Sequence, residues 1–230
     1  RRQRQMCIRD RYYYHAWSSE IIYFLNQQRS LLALQKAEKM KKQAFADRYP
    51  YGIFSCIRAM GHIYKSRGNF DLSAQYYQEA LDYMLKNMPD QDPSQLYSSL
   101  AEYYRNTQKD YATALDYCEK ALKSAKTERN IAQAMIEKCL VLFRQGRIDE
   151  FNDCYKEAVQ MADRCKLSAS VSLLIAHISK NILDKQYEQA HAHADQLSEE
   201  GLQQHAYIYE CAKDYPLSLI HISEPTRLRR

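Results

Sequence analysis

Residues 53–81 read IFSCIRAMGHIYKSRGNFDLSAQYYQEAL, and this stretch determines the fold predicted for the rest of the chain. Small residues recur at Gly61, Ser73 and Ala80, and a Gly-Asn pair at Gly68 divides the run. Large apolar or aromatic residues stand at helical spacing on both sides of that pair: Ile57, Met60, Tyr64, Phe70 and Tyr77. The pattern predicts two amphipathic helices packed antiparallel around a tight turn. The small residues should let the backbones approach closely, and Gly68 should take the left-handed conformation that ends the first helix.

The spacing of these residues resembles the tetratricopeptide repeat family, whose helix-turn-helix unit has small and aromatic residues at matching positions. One such hairpin cannot bury its own apolar face, so the resemblance implies a stack of similar hairpins. The best second copy is Leu96–Leu122, with one residue inserted in its turn. Weaker copies cover Ile131–Val159 and Ser168–Leu197. Phe151 stands where the family has alanine, which leaves the register of the later repeats open.

Partial copies stand at both ends of this array. Tyr12–Leu25 and Ser30–Ala44 are predicted to form a first hairpin, and Leu202–Cys211 begins a last one. The residues predicted to face inward in the first hairpin are Tyr13, Trp17, Ile21 and Phe24, then Leu31, Leu34, Ala37 and Met40. The predicted fold class is therefore all-α: a right-handed α-solenoid of about five antiparallel hairpins, the last one truncated. Matching anchors, at Ala80, Ala121, Ala158 and Leu197, are 41, 37 and 39 residues apart, longer than the usual repeat of about 34 residues.

The two ends of the chain resemble translated sequencing adapters. Met6–Arg11 can be encoded by DNA whose reverse complement encodes Leu217–Ile222, so both ends can be one DNA sequence read in opposite directions. We therefore expect residues 1–11 and 217–230 to be non-native tails that flank a repeat array at residues 12–216. A natural basic tail at each end is the alternative interpretation.

The tails carry the positive charge of the chain. Of the formal net charge of +5, residues 1–11 contribute +4 and residues 217–230 contribute +2, which leaves −1 for residues 12–216. The predicted array therefore gives no electrostatic reason to expect binding to nucleic acid or to an acidic membrane. Its six cysteines lie within helical patterns without a C-x-x-C pair, which favours packed free thiols and a reducing, cytoplasmic compartment.

His191, His193 and Asp195 form the one metal-like cluster in the sequence. On a helix, His193 points away from the side that His191 and Asp195 share, so solvated or packed histidines are the favoured interpretation. No phosphate loop or nucleophile motif stands out, and we expect no cofactor and no enzymatic activity. A metal-dependent enzyme that uses His191 and Asp195 remains the alternative.

The resemblance also implies where a partner would bind, because the first helices of this family line a concave groove. The positions that match its groove-facing slots are Arg58, His62, Lys65, Glu102, Arg105, Asn106, Arg144, Lys180, Asn181, Tyr207 and Glu210. Most are long polar side chains that suit an extended or helical peptide, including one that carries carboxylates. A merely solvated face is the alternative interpretation. The asparagines of the clamp that holds chaperone C-termini are missing, which disfavours that partner.

These expectations describe a scaffold for protein–protein interaction that binds a peptide or protein in its groove. Tyrosine-rich arrays of long repeats also resemble the sensory or docking regions of bacterial regulators, in which a kinase or DNA-binding domain follows. The sequence therefore predicts a fragment of a signalling protein. Neither the partner nor the oligomeric state can be read from the residues.

Overall fold

Helices follow one another along the chain, joined by short turns. The computed structural model describes residues 2–167, 170–197 and 201–212, and the side chains of residues 2–11, 201–203, 209, 210 and 212 lie outside that description. The helices are α1 (Arg2–Asn26), α2 (Ser30–Ala46), α3 (Pro50–Ser66), α4 (Phe70–Asn87), α5 (Ser94–Tyr103), α6 (Tyr111–Ser124), α7 (Glu128–Gln145), α8 (Ile148–Arg164), α9 (Val171–Leu183), α10 (Tyr187–Ala194) and α11 (Gly201–Ala212). The described residues include no strand and pair the helices as five hairpins followed by α11, which confirms the predicted all-α solenoid fold class.

The chain divides into two compact units. The first, Arg1–Ala125, contains α1 to α6, and the second, Lys126–Arg230, contains α7 to α11. In each unit the successive helices of a hairpin pack against each other, and consecutive first helices, such as α7 and α9, also touch. Helix α1 starts before Tyr12, so its backbone includes residues that we expect to be adapter-derived. The origin of those residues stays a prediction, and residues 213–230 lie outside the described part of the chain.

The hairpin of α3 and α4 has the construction that residues 53–81 predict. Tyr49 is extended, with φ −97° and ψ 107°, because it precedes Pro50, and Pro50 then opens α3. Gly68 takes a φ of +74° in the turn, and the side chain of Asn69 caps α4 by accepting a hydrogen bond from the amide of Leu72 at 3.2 Å. Phe70 differs from the prediction, because its side chain is exposed rather than packed between the helices.

The helices of this hairpin pack tightly against each other at Gly61. The Tyr77 ring lies directly over Gly61, so that a Cβ built there would come within 2.5 Å of Tyr77 Cε1. The Ser73 hydroxyl donates a hydrogen bond of 2.8 Å to the Gly61 carbonyl oxygen. Since Ser73 and Tyr77 are buried, the small residue at position 61 is what allows this packing.

In the first hairpin, the residues that face the core differ slightly from the predicted ones. In α1, Tyr14 is buried and its hydroxyl donates to the Asp47 carboxylate at 2.6 Å, whereas Tyr13 is half-exposed. In α2, Ala33 is buried and Leu31 is 64% exposed. Ile21, Ala37 and Met40 are buried as predicted. The prediction is therefore wrong for residues at the edge of each buried helix face and right for residues at its centre.

The residue inserted in the second copy is accommodated by a change of helix type. Helix α5 continues as one π-helical stretch, Tyr104–Gln108, and the turn follows with Lys109 at a φ of +54°. In the matching turns, Gly146 has a φ of +76° and Lys185 one of +58°. A π turn holds one residue more than an α turn, so the extra residue widens the end of α5 and leaves the left-handed turn intact.

Candidate functional site

The first-helix face of unit 1 brings together four of the predicted groove residues. We call Arg58, His62 and Lys65 on α3, with Glu102 on α5, the unit 1 polar face. Lys65 Nζ lies 2.6 Å from Oε1 and 2.5 Å from Oε2 of Glu102, so an ion pair joins two consecutive first helices. Both side chains are partly exposed, and such pairs contribute at most about 1 kcal/mol. The contact therefore positions the two side chains more than it stabilises the fold.

His62 stands at the centre of this face and is held by the second helix. Its Nδ1 lies 2.9 Å from the hydroxyl of the buried Tyr77. Desolvation and the charges of Arg58 and Lys65 lower the pKa of His62 to about 4, against the opposing effect of Glu102. The side chain of His62 still reaches solvent, but the flanking cations act in the same direction as desolvation. The imidazole is therefore neutral near pH 7, and a hydrogen bond joins its Nδ1 to the Tyr77 hydroxyl.

Arg58 is the cation of this face that lacks a carboxylate. Its Cζ lies 5.3 Å from the centroid of the Phe54 ring, and the side chain is half-buried. Desolvation lowers the pKa of Arg58, which remains a cation at physiological pH. Among the described residues no acidic side chain forms an ion pair with it. A partly desolvated guanidinium without a carboxylate partner can bind an anion strongly.

The two remaining groove candidates of unit 1 behave differently from each other. Asn106 is exposed, and its Oδ1 accepts a hydrogen bond of 2.7 Å from Arg105 Nη1. Arg105, expected to face a partner, is only 6% exposed. Its position explains this, because Arg105 lies inside the π-helical stretch, where the wider turn rotates side chains away from their α-helical directions.

The candidates in unit 2 are engaged within the unit, buried, or outside the described residues. Arg144 is exposed and its Cζ lies 4.9 Å from the centroid of the Tyr207 ring, so α7 and α11 meet through a cation–π contact. Lys180 pairs with Asp184 one turn later, at 2.6 Å. Asn181 is 8% exposed, so it does not face solvent as expected. The side chain of Glu210 lies outside the described residues.

The comparisons with known proteins place a repeat in unit 1. Residues 55–92 match the family model described as tetratricopeptide repeat. The resemblance read from residues 53–81 is therefore confirmed, and the match covers most of α3 and all of α4. No curated protein matches the chain.

Two solved structures are similar in fold to this chain. One is BtubC (BKLC) from P. vanneervenii, with 17% identity, a TM-score of 0.54, and coverage of 82% of this chain and 84% of that chain. The other is described as a kinesin light chain of Podosopora anserina with nearly identical TPR-like repeats; it has 12% identity, a TM-score of 0.54, and coverage of 87% and 97%. At these identities the likeness shows the fold alone.

Unit 2 also contains a histidine cluster that the sequence shows only in part. His191 Nδ1 lies 2.6 Å from His205 Nδ1, and His205 Nε2 lies 3.1 Å from Asp195 Oδ1. His193, on the other side of α10, stacks on His177 with centroids 5.0 Å apart. Desolvation and His193 lower the pKa of His177, and desolvation and His205 lower that of His191. These contacts pack α9, α10 and α11 together.

In the described part of the chain, no set of metal ligands is assembled that would support the alternative of a metal-dependent enzyme. His191 and Asp195 both contact His205, but they do so at opposite nitrogens of its ring. No group of three or more His, Cys, Asp or Glu side chains among the described residues is arranged to hold a metal ion. The same residues include no helix with the length and apolar character needed to span a bilayer.

Proposed function

We propose that this chain is a protein-interaction scaffold that binds an acidic peptide segment on the unit 1 polar face. Tetratricopeptide repeat folds are generally scaffolds for protein–protein interaction and typically are not enzymes. The observation that supports the finer proposal is Arg58, which is a half-buried cation without a carboxylate partner beside a neutral His62. A carboxylate of the peptide supplies the missing partner.

The neighbouring side chains determine which peptides fit this face. Lys65 is already paired with Glu102, so a second peptide carboxylate must share Lys65 with that residue. The exposed Asn106, four residues after Glu102, adds an amide nitrogen that can donate hydrogen bonds, while its Oδ1 already accepts one from Arg105. A peptide with one carboxylate at Arg58 and polar groups further along is therefore preferred over a uniformly acidic one.

Selection from a displayed peptide library tests this proposal. Wild-type protein should enrich peptides with Asp, Glu or a free C-terminus, and Arg58→Gln should weaken their binding by about 10-fold to 100-fold, because a charge-assisted hydrogen bond contributes about 1.5–3 kcal/mol. Lys65→Glu should also weaken binding. Lys86→Glu, which changes an exposed lysine on the second helix α4, is the matched control and should bind as the wild type does.

Two results would contradict the proposed face. The first is that peptides selected on the wild type bind Arg58→Gln and Lys65→Glu with unchanged affinity, and the second is that the selection enriches peptides without carboxylates. Far-ultraviolet circular dichroism of each variant separates lost binding from lost fold. Since Lys65 is exposed, its substitution should leave the helical signal unchanged even where Arg58→Gln perturbs packing.

We further propose that the scaffold belongs to a regulatory protein of bacterial type. The long repeats and the many tyrosines support this proposal through their resemblance to docking regions of such regulators. Adapter-free sequencing of the gene is the test. A kinase or DNA-binding domain encoded in the same reading frame would support the regulatory role. A domain of unrelated function encoded there would contradict it.

A further inference from the structure

The α7–α8 hairpin of unit 2 holds two cysteines side by side. Cys139 Sγ lies 2.9 Å from Cys154 Sγ, with the two residues on opposite helices of the hairpin. A disulfide has a sulphur–sulphur distance of about 2.05 Å, so the two atoms need to move together by only about 0.9 Å. Neither residue is part of a disulfide in the structure. The packing of the hairpin has therefore already brought two oxidisable groups into contact.

The turn explains why these two positions meet. Cys139 comes seven residues before Gly146 and Cys154 eight residues after it, so they stand at nearly equal distances from the turn of an antiparallel pair. Cys139 also occupies the position that corresponds to Gly61 in the α3–α4 hairpin, where a side chain of the second helix packs directly on the first helix. Close helices and matched positions bring the sulphurs together without strain in the turn, because Gly146 carries the positive φ of +76°.

The two thiols differ in accessibility. Cys139 is fully buried, whereas Cys154 is half-buried and therefore reachable from solvent. Cys154 Sγ also lies 3.5 Å from the carbonyl oxygen of Met135 on α7, which holds it against the partner helix. A reagent in solution meets Cys154 first, and Cys139 is already in place to react with whatever forms there.

We propose that Cys139 and Cys154 form a reversible disulfide that joins α7 to α8 when the chain meets a small oxidising disulfide. The Cys154 thiolate attacks one sulphur of a small disulfide such as oxidised glutathione, forming a mixed disulfide and releasing one thiolate. The Cys139 thiol then attacks the Cys154 sulphur, and the second thiolate leaves and takes up the Cys139 proton. The two cysteines together lose two electrons and two protons, and the small disulfide gains the two electrons.

The disulfide would close a loop around the hairpin turn. Residues 139 and 154 are 15 apart in sequence, so the cross-link restricts the conformations of the unfolded chain. It requires little movement of atoms in the folded hairpin. Oxidation should therefore raise the unfolding temperature of unit 2 by several degrees, and added thiol should reverse the change. Unit 2 would then have two states of different stability, set by the thiol–disulfide balance around it.

Mass spectrometry of the intact chain tests the proposal directly. The folded protein is incubated with oxidised glutathione near neutral pH, remaining thiols are blocked with N-ethylmaleimide, and the chain is digested without reduction. We expect a cross-linked peptide pair containing Cys139 and Cys154, with the mass of two hydrogen atoms lost. Cys154→Ser should abolish it, while Cys165→Ser, which changes the half-buried cysteine that follows α8, should keep it as the matched control.

Other outcomes would overturn the proposal. A glutathione adduct that stays on Cys154 while Cys139 is later alkylated would show that the second step does not occur. Cross-links that appear only in denaturant, or that join Cys154 to other cysteines, would show that the folded hairpin does not bring the pair together. Because the wild-type and Cys165→Ser proteins carry the decisive cross-link, the test stands even if Cys154→Ser folds poorly.

Discussion

Replacing Gly61 with alanine should destabilise unit 1, although a helix usually gains from this exchange. In a helix interior, alanine is about 0.5–1 kcal/mol more favourable than glycine. At position 61, however, the new Cβ would lie 2.5 Å from Tyr77 Cε1 and 2.6 Å from Cδ1. Non-bonded carbon atoms are most stable about 3.5–4.0 Å apart, so the ring must move by about 1 Å.

The Tyr77 ring has little room for such a move. It is 3% exposed, and its hydroxyl is bound to His62 Nδ1 at 2.9 Å. Overpacking of a core costs about 1–3 kcal/mol, and losing this hydrogen bond adds about 1 kcal/mol. After subtracting the helix-propensity gain, we expect Gly61→Ala to lower the free energy of unfolding by about 1–3 kcal/mol.

Urea unfolding, followed by circular dichroism, measures this change, and a double-mutant cycle assigns its cause. Tyr77→Cys copies the second repeat copy, which has Ala101 and Cys118 at the matching positions, both fully buried. In the double variant the smaller residue gives the new Cβ space, so the two substitutions should couple favourably by about 1–3 kcal/mol. A Gly61→Ala protein more stable than the wild type, or strictly additive effects, would refute the reasoning.

Three further predictions concern the turns, the core of unit 2 and its histidines. Lys109→Gly should raise the free energy of unfolding by up to about 1 kcal/mol, because Lys109 holds a φ of +54° that glycine adopts without strain; an unchanged urea midpoint would contradict this. Phe151→Ala should cost about 3–5 kcal/mol in unit 2, measured in the same assay, because the Phe151 side chain is fully buried. Lowering the pH from about 7.5 to about 5.5 should destabilise unit 2: folding lowers the pKa values of His177 and His191, so the unfolded chain binds protons first as the pH falls below about 6.5. The urea midpoint should depend less on pH when both histidines are replaced by glutamine.

Much of the fold could be predicted from the sequence because local signals and packing agree. Gly61, Ser73 and Tyr77 stand at spacings that only an antiparallel hairpin brings together, and Gly68 marks the turn independently. The first hairpin was harder to place, because α1 carries tyrosines at three successive positions, Tyr12 to Tyr14. Hydrophobic spacing cannot decide which of three adjacent tyrosines faces inward, whereas the hydrogen bond from Tyr14 to Asp47 can.

The candidate site was less predictable, because matching residues to the groove positions of the family assumes that every helix is a regular α-helix. Arg58, His62, Lys65 and Glu102 lie on ordinary α-helix, and the structure brings them together. Arg105 lies in a π-helical stretch, where the residue spacing of an α-helix no longer gives the direction of a side chain. The contacts of His205 with His191 and Asp195 join separate helices, so a reading of α10 alone could not find them.

The π-helical stretch Tyr104–Gln108 also bears on how such arrays change in length over evolution. An extra residue in an α-helix would normally rotate everything after it by about 100° relative to the preceding turns. Here a single wide turn takes up the residue, and the cap that follows is regular, with Asp110 accepting a hydrogen bond from the Thr113 amide at 3.1 Å. An insertion at this point therefore hardly changes the side-chain directions of the next helix. Homologues of different length should be aligned on their left-handed turn residues, since a fixed period would misplace every position beyond the insertion.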